Sequence, residues 1–280
     1  MCLARLKKEK SVSNLRLKDK VTIITGAGSG VGRATARMYA AEGATVLVTG
    51  RRLETVEPVA REIRDQGGQA LALQVDVGVE SDLKAMIDTA LAEFGRIDVL
   101  FNNAVNSNPD TAARDGDFLN FDVQAFNDNM RINVLGGVLA CKYALPHMLA
   151  RGRGSIIFTS SSSSLKGEVS MFSYGASKAA LNWYVQTLAA TYGKQGIRCN
   201  GIVPGVILTE SLLAWWNPEM EAAFLDLKNA PRLGRPEDIA HMALFLASDE
   251  SEFCNGALYE VNGGMMCATP MVPVVREQLR

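Results

Sequence analysis

The sequence lacks a long apolar run and an excess of either charge. Its 280 residues carry 29 lysine and arginine residues against 30 aspartate and glutamate residues, a formal net charge of −1. A nearly neutral chain gives no reason to expect nucleic acid or an anionic membrane as a partner. No apolar run approaches the roughly 20 residues that a transmembrane helix needs, so we expect no membrane span.

Cysteine and histidine are also scarce. The cysteines show no Cys-x-x-Cys spacing and lie at positions 2, 141, 199, 254 and 267. An odd number of dispersed cysteines indicates reduced thiols and a cytoplasmic protein. The two histidines, His147 and His241, lie far apart, and no spacing of carboxylates or cysteines completes a metal site with either. We therefore expect no bound metal.

The two ends of the chain differ in composition from its middle. The N-terminal segment MCLARLKKEKSVSNLRLK lacks the apolar middle of a signal peptide. We expect residues 1–16 to form a charged, mobile arm, with a weak amphipathic surface anchor as the alternative. The tail, residues 265–280, mixes apolar residues with prolines. It either packs on a neighbouring subunit, covers a site or frays.

Short apolar runs alternate with helical patterns between these ends. Such alternation predicts an α/β fold, a doubly wound parallel sheet of seven strands covered by helices on both faces. The predicted strands are Val21–Thr25, Thr45–Thr49, Ala70–Val75, Val99–Asn102, Ser155–Thr159, Arg198–Val203 and Ala257–Val261. The predicted helices between them include Val56–Gln66, Ser81–Phe94 and Ala125–Leu149.

Polar and glycine-rich groups follow several of these strands. Ligands of open α/β sheets bind at the carboxyl ends of the strands. The glycine turn after the first strand, Asn102, Ser161 and Pro204 all fall close to such ends. We therefore expect them to lie together at one edge of the sheet.

The glycine turn reads Thr-Gly-Ala-Gly-Ser-Gly-Val-Gly over residues 25–32. It follows the first predicted strand and precedes a predicted helix, which is the context that a dinucleotide site needs. Glycines let the backbone approach a pyrophosphate, and the start of the helix offers free N–H groups to it. The turn therefore predicts a nucleotide cofactor.

Tyr174 and Lys178 are four residues apart, so they share one face of a helix. A tyrosine, with an ordinary pKa of about 10, acts as an acid or base near neutral pH where its phenolate is stabilised, and a nearby ammonium does this. A serine run, 160–164, lies upstream and offers a hydroxyl to a substrate oxygen. Such a pair is common by chance, and its weight depends on the other motifs.

Together these motifs resemble the short-chain dehydrogenases/reductases. Residues 25–32, Asn102-Asn103-Ala104, Asn133, Ser161, Tyr174-x-x-x-Lys178 and Pro204-Gly205 occur in the order seen in that family. The resemblance covers residues 17–264, and several independent motifs make it specific. It implies a single-domain Rossmann fold over those residues, a nicotinamide cofactor and oxidoreductase chemistry between an alcohol and a carbonyl.

The resemblance also implies a catalytic set. Tyr174 is similar to the family's general acid/base, and Lys178 to the lysine that lowers the tyrosine pKa and binds the nicotinamide ribose. Ser161 resembles the serine that holds the carbonyl oxygen, because it lies thirteen residues before the tyrosine. Asn133 resembles the asparagine that anchors a water in the proton relay.

Further residues resemble the family's cofactor contacts. Asp76 resembles the residue beside the adenine, with a helix N-cap as the alternative, and Thr209 one near the nicotinamide carboxamide. The chain departs from the pattern at Val105, where the family has a glycine. The full expected set is Gly26, Ser29, Gly30, Val31, Gly32, Arg51, Asp76, Val77, Asn103, Ala104, Tyr174, Lys178, Pro204, Gly205 and Thr209.

The end of the second strand predicts which nicotinamide cofactor is used. A carboxylate there would accept the ribose hydroxyls of NAD, but the chain has Gly50 followed by Arg51. A guanidinium suits a 2′-phosphate. We therefore expect a preference for NADP(H) over NAD(H), although Ser29 stands where many NADP-preferring relatives have a basic residue. The alternative is that Arg51 and Arg52 are solvated charges that cap the next helix.

The stretch after Thr209 predicts the kind of substrate. It resembles the family's mobile segment over the substrate and carries large apolar side chains: Leu212, Leu213, Trp215, Trp216, Met220 and Phe224. Such side chains suit a bulky, lipophilic ketone or alcohol. The alternative is that they pack the segment's own helices or meet another subunit. The resemblance also implies a homo-oligomer, a tetramer or a dimer.

Two other functions stay open on the sequence. A non-catalytic nucleotide-binding regulator could use the same scaffold, but such proteins normally lose the tyrosine or the lysine. A divergent enoyl reductase usually spaces these two residues more widely than Tyr174 and Lys178 are here.

Overall fold

The computed structural model describes residues 15–214, 216–269 and 271–279. Its strands are β1 (Val21–Ile24), β2 (Thr45–Gly50), β3 (Gln69–Gln74), β4 (Val99–Asn102), β5 (Gly154–Thr159), β6 (Ile197–Pro204) and β7 (Leu258–Val261). Its α-helices are α1 (Gly30–Ala41), α2 (Leu53–Asp65), α3 (Glu80–Phe94), α4 (Pro109–Arg114), α5 (Val123–Asn129), α6 (Gly136–Ala150), α7 (Phe172–Tyr192), α8 (Glu210–Leu213), α9 (Pro218–Asp226), α10 (Pro236–Ala247) and α11 (Val272–Gln278).

The seven strands form one parallel sheet in the order β3-β2-β1-β4-β5-β6-β7. This confirms the predicted doubly wound sheet. Each strand lies within two residues of its predicted bounds at either end, and Asn102 and Pro204 are the last residues of their strands rather than the first beyond them. The order reverses between β1 and β4, and a crevice at the carboxyl ends of the strands forms where it does.

Two apolar layers cover the sheet. One lies under α3, α6 and α7 and includes Leu100 and Phe158, and the other lies under α1, α2 and α10 and includes Phe101 and Ile157. Successive side chains of a strand point to opposite faces, so strands covered on both faces are apolar throughout. The burial of both layers fixes the register of the strands, and with it the positions of the loops at the carboxyl edge.

The long helix predicted over Ala125–Leu149 is interrupted. The structure has α5, a π-helical segment over Met130–Leu135 and then α6, in one continuous run. A π segment adds a residue to a turn and often marks a functional site. The predicted helical stretch is therefore present, but apolar periodicity does not report the π segment inside it.

The same run, Val123–Ala150, is long and apolar enough to cross a membrane by length and composition alone, which the sequence prediction did not anticipate. Of its most apolar window, 44% is buried inside the fold. Its buried side chains, among them Cys141 and Met148, belong to the layer under the sheet. A helix that packs in the core of a fold can also be long and apolar enough to meet this criterion of length and composition.

Leu17 is completely buried, and the N–H of the preceding Arg16 donates to the Glu42 carboxylate at 2.9 Å, while residues 1–14 of the predicted arm lie outside the described residues. At the other end the tail forms α11. The Arg276 guanidinium on α11 donates to the carbonyl oxygen of Lys228 at 3.0 Å. The described part of the tail therefore lies against the segment that follows α9.

Candidate active site

The glycine turn brings the backbone of β1 and α1 very close together. A Cβ at Gly32 would overlap the carbonyl oxygen of Gly26, so no other residue fits there without a shift of the turn. Gly30 has a φ of +48°, in the left-handed region, and a Cβ there would lie 2.9 Å from Cγ2 of Thr209. The turn is therefore compact, and its N–H groups point out at the start of α1.

The end of β4 is tied to this turn. The Asn103 amide donates to the carbonyl oxygens of Thr25 at 3.1 Å and Gly26 at 3.3 Å. The Thr25 hydroxyl accepts from the N–H groups of Asn103 and Ala104, each at 3.0 Å. Val105 is not among the described non-glycine residues with positive φ, so valine follows this backbone path without left-handed strain.

Asp76 and Val77 shape the turn after β3. The Asp76 carboxylate accepts from the Gly78 N–H at 2.8 Å, and the Asp76 N–H donates to the Asp82 carboxylate at 3.0 Å. The N-cap of α3 is Val79, so Asp76 does not have the alternative role of a helix cap. Val77 is buried beside Gly136. A Cβ at Gly136 would lie 3.1 Å from the Cβ of Val77.

The end of β2 presents a cation. Gly50 ends the strand, and the exposed Arg51 follows, its carbonyl accepting from the Gln74 amide at 3.0 Å. In the described part of the chain no carboxylate pairs with the Arg51 guanidinium. The nearby glycine turn touches the first turn of α2, because a Cβ at Gly28 would lie 2.9 Å from Cβ of Thr55. The segment that begins with Arg51 and continues into α2 therefore lies close to the glycine turn.

The start of α7 carries the expected catalytic pair. The Lys178 ammonium lies 5.8 Å from the centroid of the Tyr174 ring and donates to the Thr159 carbonyl oxygen at 2.8 Å. Burial lowers the pKa of Lys178 from 10.5 to about 7. The lysine is 1% exposed, and its one carbonyl partner does not replace the lost hydration of the charge.

The pKa of Tyr174 is raised rather than lowered. Burial of the phenol is the largest cause, a hydrogen bond with Ser161 acts in the opposite direction, and the negative charge of Glu168 adds to the rise. The family resemblance implies that Lys178 lowers this pKa, but in this structure Lys178 is not among the groups that shift it. The difference arises because the ammonium is directed to the Thr159 carbonyl and itself loses charge on burial.

The hydroxyls of Ser160, Ser161 and Ser162 form different hydrogen bonds, and of these three only that of Ser161 involves Tyr174. Ser161 bonds to the phenol, as the thirteen-residue spacing suggested. The Ser160 hydroxyl bonds to the Asn182 side chain at 2.6 Å, and Ser162 donates to the Pro204 carbonyl oxygen at 3.0 Å. The flanking serines therefore hold β5, β6 and α7 together.

Asn133 lies on the π-helical segment and is buried. Its amide donates to the Ser177 hydroxyl at 2.9 Å, and its carbonyl oxygen accepts from the Asn106 N–H at 2.7 Å. Ser177 in turn donates to the Tyr174 carbonyl oxygen at 2.7 Å. The side chain expected to anchor a water thus bonds to protein groups on both sides.

The segment after β6 folds back over the glycine turn. A Cβ at Gly205 would lie 3.0 Å from Cα of Asn262. The backbones that follow β6 and β7 are therefore in close contact at this point. Thr209 caps α8, and the Glu210 carboxylate accepts from the Gly30 N–H at 3.0 Å and pairs with Arg33. An anion therefore already lies at the start of α1, where phosphates bind in such folds.

The apolar residues of this segment pack partly on one another. Trp216 stacks on Phe224, with the ring centroids 5.7 Å apart and 25° between the planes. Trp215 lies outside the described residues. Neither α8 nor α9 contains a fully buried residue, so the segment is a surface layer rather than part of the core.

The residues present fit a nicotinamide dinucleotide. The close approach at Gly28 and Gly30 makes a cradle that a Cβ would fill, and the Glu210 carboxylate marks an anion position there. The remaining expected residues, Ser29, Val31 and Ala104, line the same turn or the adjoining strand end. Across residues 15–214, 216–269 and 271–279, no group of three or more histidine, cysteine, aspartate or glutamate side chains could hold a metal.

Sequence reasoning missed three polar residues beside this site. Asp115, Asn106 and Asn129 form hydrogen bonds around the start of α7. Asn129 lies four residues before Asn133, on the same helical run, and that spacing could have indicated it. Nothing in the local sequence around Asp115 marks it.

Known proteins share this architecture and its motifs. A family model described as enoyl-(acyl carrier protein) reductase matches residues 26–266. The 7α-hydroxysteroid dehydrogenase of Escherichia coli (strain K12) is 36% identical over 251 residues, 90% of this chain and 96% of that protein. The cis-4-hydroxycyclohexanecarboxylate dehydrogenase of Sinomonas cyclohexanicum is 38% identical over 246 residues, 88% of this chain and 96% of that protein.

Solved structures agree. A 7α-hydroxysteroid dehydrogenase complexed with NADH and 7-oxo glycochenodeoxycholic acid superposes with a TM-score of 0.84 at 36% identity, covering 90% of this chain and 96% of the other. Fold and site define an NAD(P)-dependent oxidoreductase with a doubly wound α/β domain. The chain belongs to the short-chain dehydrogenase/reductase family.

Proposed function

We propose that the protein transfers a hydride between NADP(H) and the carbonyl or secondary-alcohol carbon of a bulky, lipophilic substrate. The observation that carries this proposal is the Tyr174 phenol, hydrogen-bonded to Ser161 and one helical turn from Lys178, at the carboxyl edge of the sheet. A tyrosine held between a serine hydroxyl and a lysine is an acid/base group with a neighbouring site for one substrate oxygen.

The chain's own residues would handle the proton. In the reducing direction Ser161 donates a hydrogen bond to the substrate carbonyl oxygen, and Tyr174 gives its phenolic proton to that oxygen as negative charge develops there. Lys178, with a pKa of about 7, can itself gain or lose a proton near pH 7. The nicotinamide supplies or accepts the hydride when it is bound.

The preference for NADP(H) rests on the end of β2. Gly50 offers no carboxylate to bind ribose hydroxyls or to repel a phosphate, and the next residue, Arg51, is exposed. A guanidinium forms paired hydrogen bonds with phosphate oxygens. NAD(H) is the alternative cofactor, and the 7α-hydroxysteroid dehydrogenase structure in this family holds NADH.

The lipophilic substrate rests on apolar side chains around the start of α7. Phe118 and Phe172 pack edge to face with ring centroids 5.4 Å apart, and Phe172 lies two residues before Tyr174. Phe118 and Val169 are largely exposed on that side of the site. The names of two relatives give a hydroxysteroid and a hydroxycyclohexanecarboxylate, both ring-bearing alcohols, as their substrates.

We also propose that the protein is a cytoplasmic homo-oligomer, a tetramer or a dimer. Apolar side chains exposed on the helical run and on α7, such as Leu135 and Trp183, are available for subunit contacts. The spacing of Tyr174 and Lys178 and the dehydrogenase relatives favour alcohol and carbonyl chemistry over enoyl reduction. A non-catalytic regulator would need neither the tyrosine nor the buried lysine.

The test is a rate measurement at 340 nm with NADPH, NADH and their oxidised forms. The panel contains steroid, terpenoid and aromatic ketones, small oxo acids, enoyl thioesters and the corresponding alcohols, with Tyr174→Phe as the inactive control. Tyr174-dependent turnover of a ring-bearing ketone, fastest with NADPH, supports the proposal. Turnover of enoyl thioesters alone, or none with any substrate despite cofactor binding, contradicts it.

A further inference from the structure

A buried carboxylate holds the start of the helix that carries Tyr174. Asp115, which follows α4, is 5% exposed. Its side chain accepts from the backbone N–H groups of Ser173 at 2.8 Å and Tyr174 at 2.9 Å. A buried carboxylate needs such donors, and the start of a helix provides them with a favourable dipole.

This helix lacks a cap from its own sequence. The N-cap residue, Met171, has a φ of 59°, in the left-handed region, and its side chain forms no cap hydrogen bond. Its N–H donates to the Asp115 carbonyl oxygen at 2.7 Å. Asp115 therefore binds three backbone N–H groups at the start of α7 from a point 58 residues before Ser173. A strained N-cap persists where the surroundings hold it.

The second oxygen of Asp115 also contacts a chain of asparagines. The Asn129 amide donates to it at 3.4 Å, and the Asn106 amide donates to the Asn129 carbonyl oxygen at 3.1 Å. Asn129 is buried, as Asp115 is. These bonds tie the connection after β4 to the end of α5.

The chain of hydrogen bonds closes on Tyr174. The Asn106 N–H donates to Asn133, Asn133 donates to Ser177, and Ser177 donates to the Tyr174 carbonyl oxygen. The N–H of Tyr174 is bound by Asp115 and its carbonyl oxygen by Ser177. Both backbone polar groups of the tyrosine thus belong to one closed ring of bonds.

We propose that Asp115 is a positioning residue. It sets the position of the Tyr174 phenol by holding the first turn of α7 against the asparagines of this closed ring of hydrogen bonds. The inference rests on the proposed function, because it assumes that Tyr174 transfers a proton. A displacement of about 1 Å from the productive geometry costs up to about 10²-fold in rate. Loss of the carboxylate frees the turn at the residue that carries the phenol.

The test compares Asp115→Ala and Asp115→Asn with Asp122→Ala. Asp122 caps α5 through the Ala125 N–H at 2.7 Å, so its removal takes away a similar cap from a helix that does not carry Tyr174. We expect Asp115→Ala to lower kcat by about 10²-fold with the cofactor Kd unchanged. Asparagine keeps an acceptor oxygen, so Asp115→Asn should recover part of that loss.

The matched control separates positioning from general stability. Both alanine variants should lose a few degrees of Tm, as the loss of an N-cap does, but only Asp115→Ala should lose kcat. Equal kcat for Asp115→Ala and the parent, measured well below Tm, overturns the proposal and leaves the oxidoreductase assignment intact. So does an equal loss of kcat in Asp122→Ala.

Amide hydrogen exchange keeps the inference testable without activity. Asp115→Asn should speed exchange at the Ser173 and Tyr174 amides and leave the middle of α7 unchanged. If the parent protein turned over no substrate, the proposed function would fail, while faster exchange at these amides would still support the positioning role. Unchanged exchange there would overturn it whatever the activity.

Discussion

Replacing Lys178 with methionine should remove a pH-dependent part of the stability of the fold. Burial lowers the pKa of this lysine from 10.5 to about 7, and its ammonium has a single carbonyl partner at 2.8 Å. Between these two pKa values the unfolded chain holds a proton that the folded chain has released. The stability of the parent therefore rises with pH across this window and is lower where the buried lysine must be charged.

The size of the effect follows from the two pKa values. Each pH unit between them contributes about 1.4 kcal/mol, less near the ends of the window, so going from about pH 7.5 to pH 9.5 should add about 2–3 kcal/mol from this group. Other groups that titrate on unfolding are the same in both proteins. They cancel when the free energy of unfolding of Lys178→Met is subtracted from that of the parent.

The assay is urea unfolding, followed by tryptophan fluorescence at several pH values and one fixed protein concentration, without cofactor. The difference in the free energy of unfolding between parent and Lys178→Met should change by about 2–3 kcal/mol in favour of the parent as the pH rises. Lys166→Met, at an exposed lysine of the same region, should give a flat difference. A flat difference for Lys178→Met as well would show that the lysine stays charged in the folded chain.

Three substitutions test the site itself. Tyr174→Phe should lower kcat by about 10²–10⁴-fold, because the transferable proton is lost, while cofactor binding measured by fluorescence titration stays unchanged. Arg51→Ala should raise KM for NADPH about 10-fold or more and leave KM for NADH unchanged, because a charge-assisted bond to the phosphate is lost; Arg52→Ala is the matched control. Trp216→Ala should raise KM for bulky ketones more than for small ones in the same rate assay.

Each of these has an outcome that counts against it. A Tyr174→Phe protein with near-parental kcat would remove the tyrosine from the mechanism. A parent with higher kcat/KM for NADH than for NADPH would overturn the role of Arg51. Equal effects of Trp216→Ala on all substrates would show that its stacking on Phe224 only packs the segment. The substitution Gly50→Asp would add the missing carboxylate. It needs a small shift of Val56, because a Cβ at Gly50 would lie 3.0 Å from Cγ1 of Val56.

The fold was predictable because its signals are local. The central strands are apolar runs buried on both faces, as in β1 and β4, and the alternation with helices allows few topologies. The glycine turn was also predictable from the sequence. A side chain at Gly32 would overlap the backbone of the turn, so the turn requires glycine at this position. Ser161 was chosen over its neighbours because its distance from Tyr174 in the sequence matches the family interval, and in the structure a hydrogen bond with Ser161 acts on the pKa of Tyr174.

The rest of the site depends on contacts between distant residues. Asp115 meets Ser173 across 58 residues, and no periodicity or motif reports such a pairing. The π-helical segment inserts a residue into a helix whose apolar pattern looks regular. The orientation of Asn133 therefore could not be predicted from the sequence either. The direction of the Tyr174 pKa shift also depends on three-dimensional burial, which the Tyr-x-x-x-Lys spacing does not report.

These pKa shifts predict different pH profiles for the two directions of the reaction. Reduction needs the Tyr174 proton, and burial raises the pKa of this phenol, so the proton is retained at neutral and mildly alkaline pH. Oxidation needs the phenolate, which the same burial disfavours, and a Lys178 with a pKa of about 7 has lost most of its charge where the phenolate forms. We therefore expect alcohol oxidation to have its optimum at higher pH than ketone reduction, measured as initial rates in one buffer series. Profiles that coincide would show that the hydroxyl of Tyr174 does not carry the transferred proton.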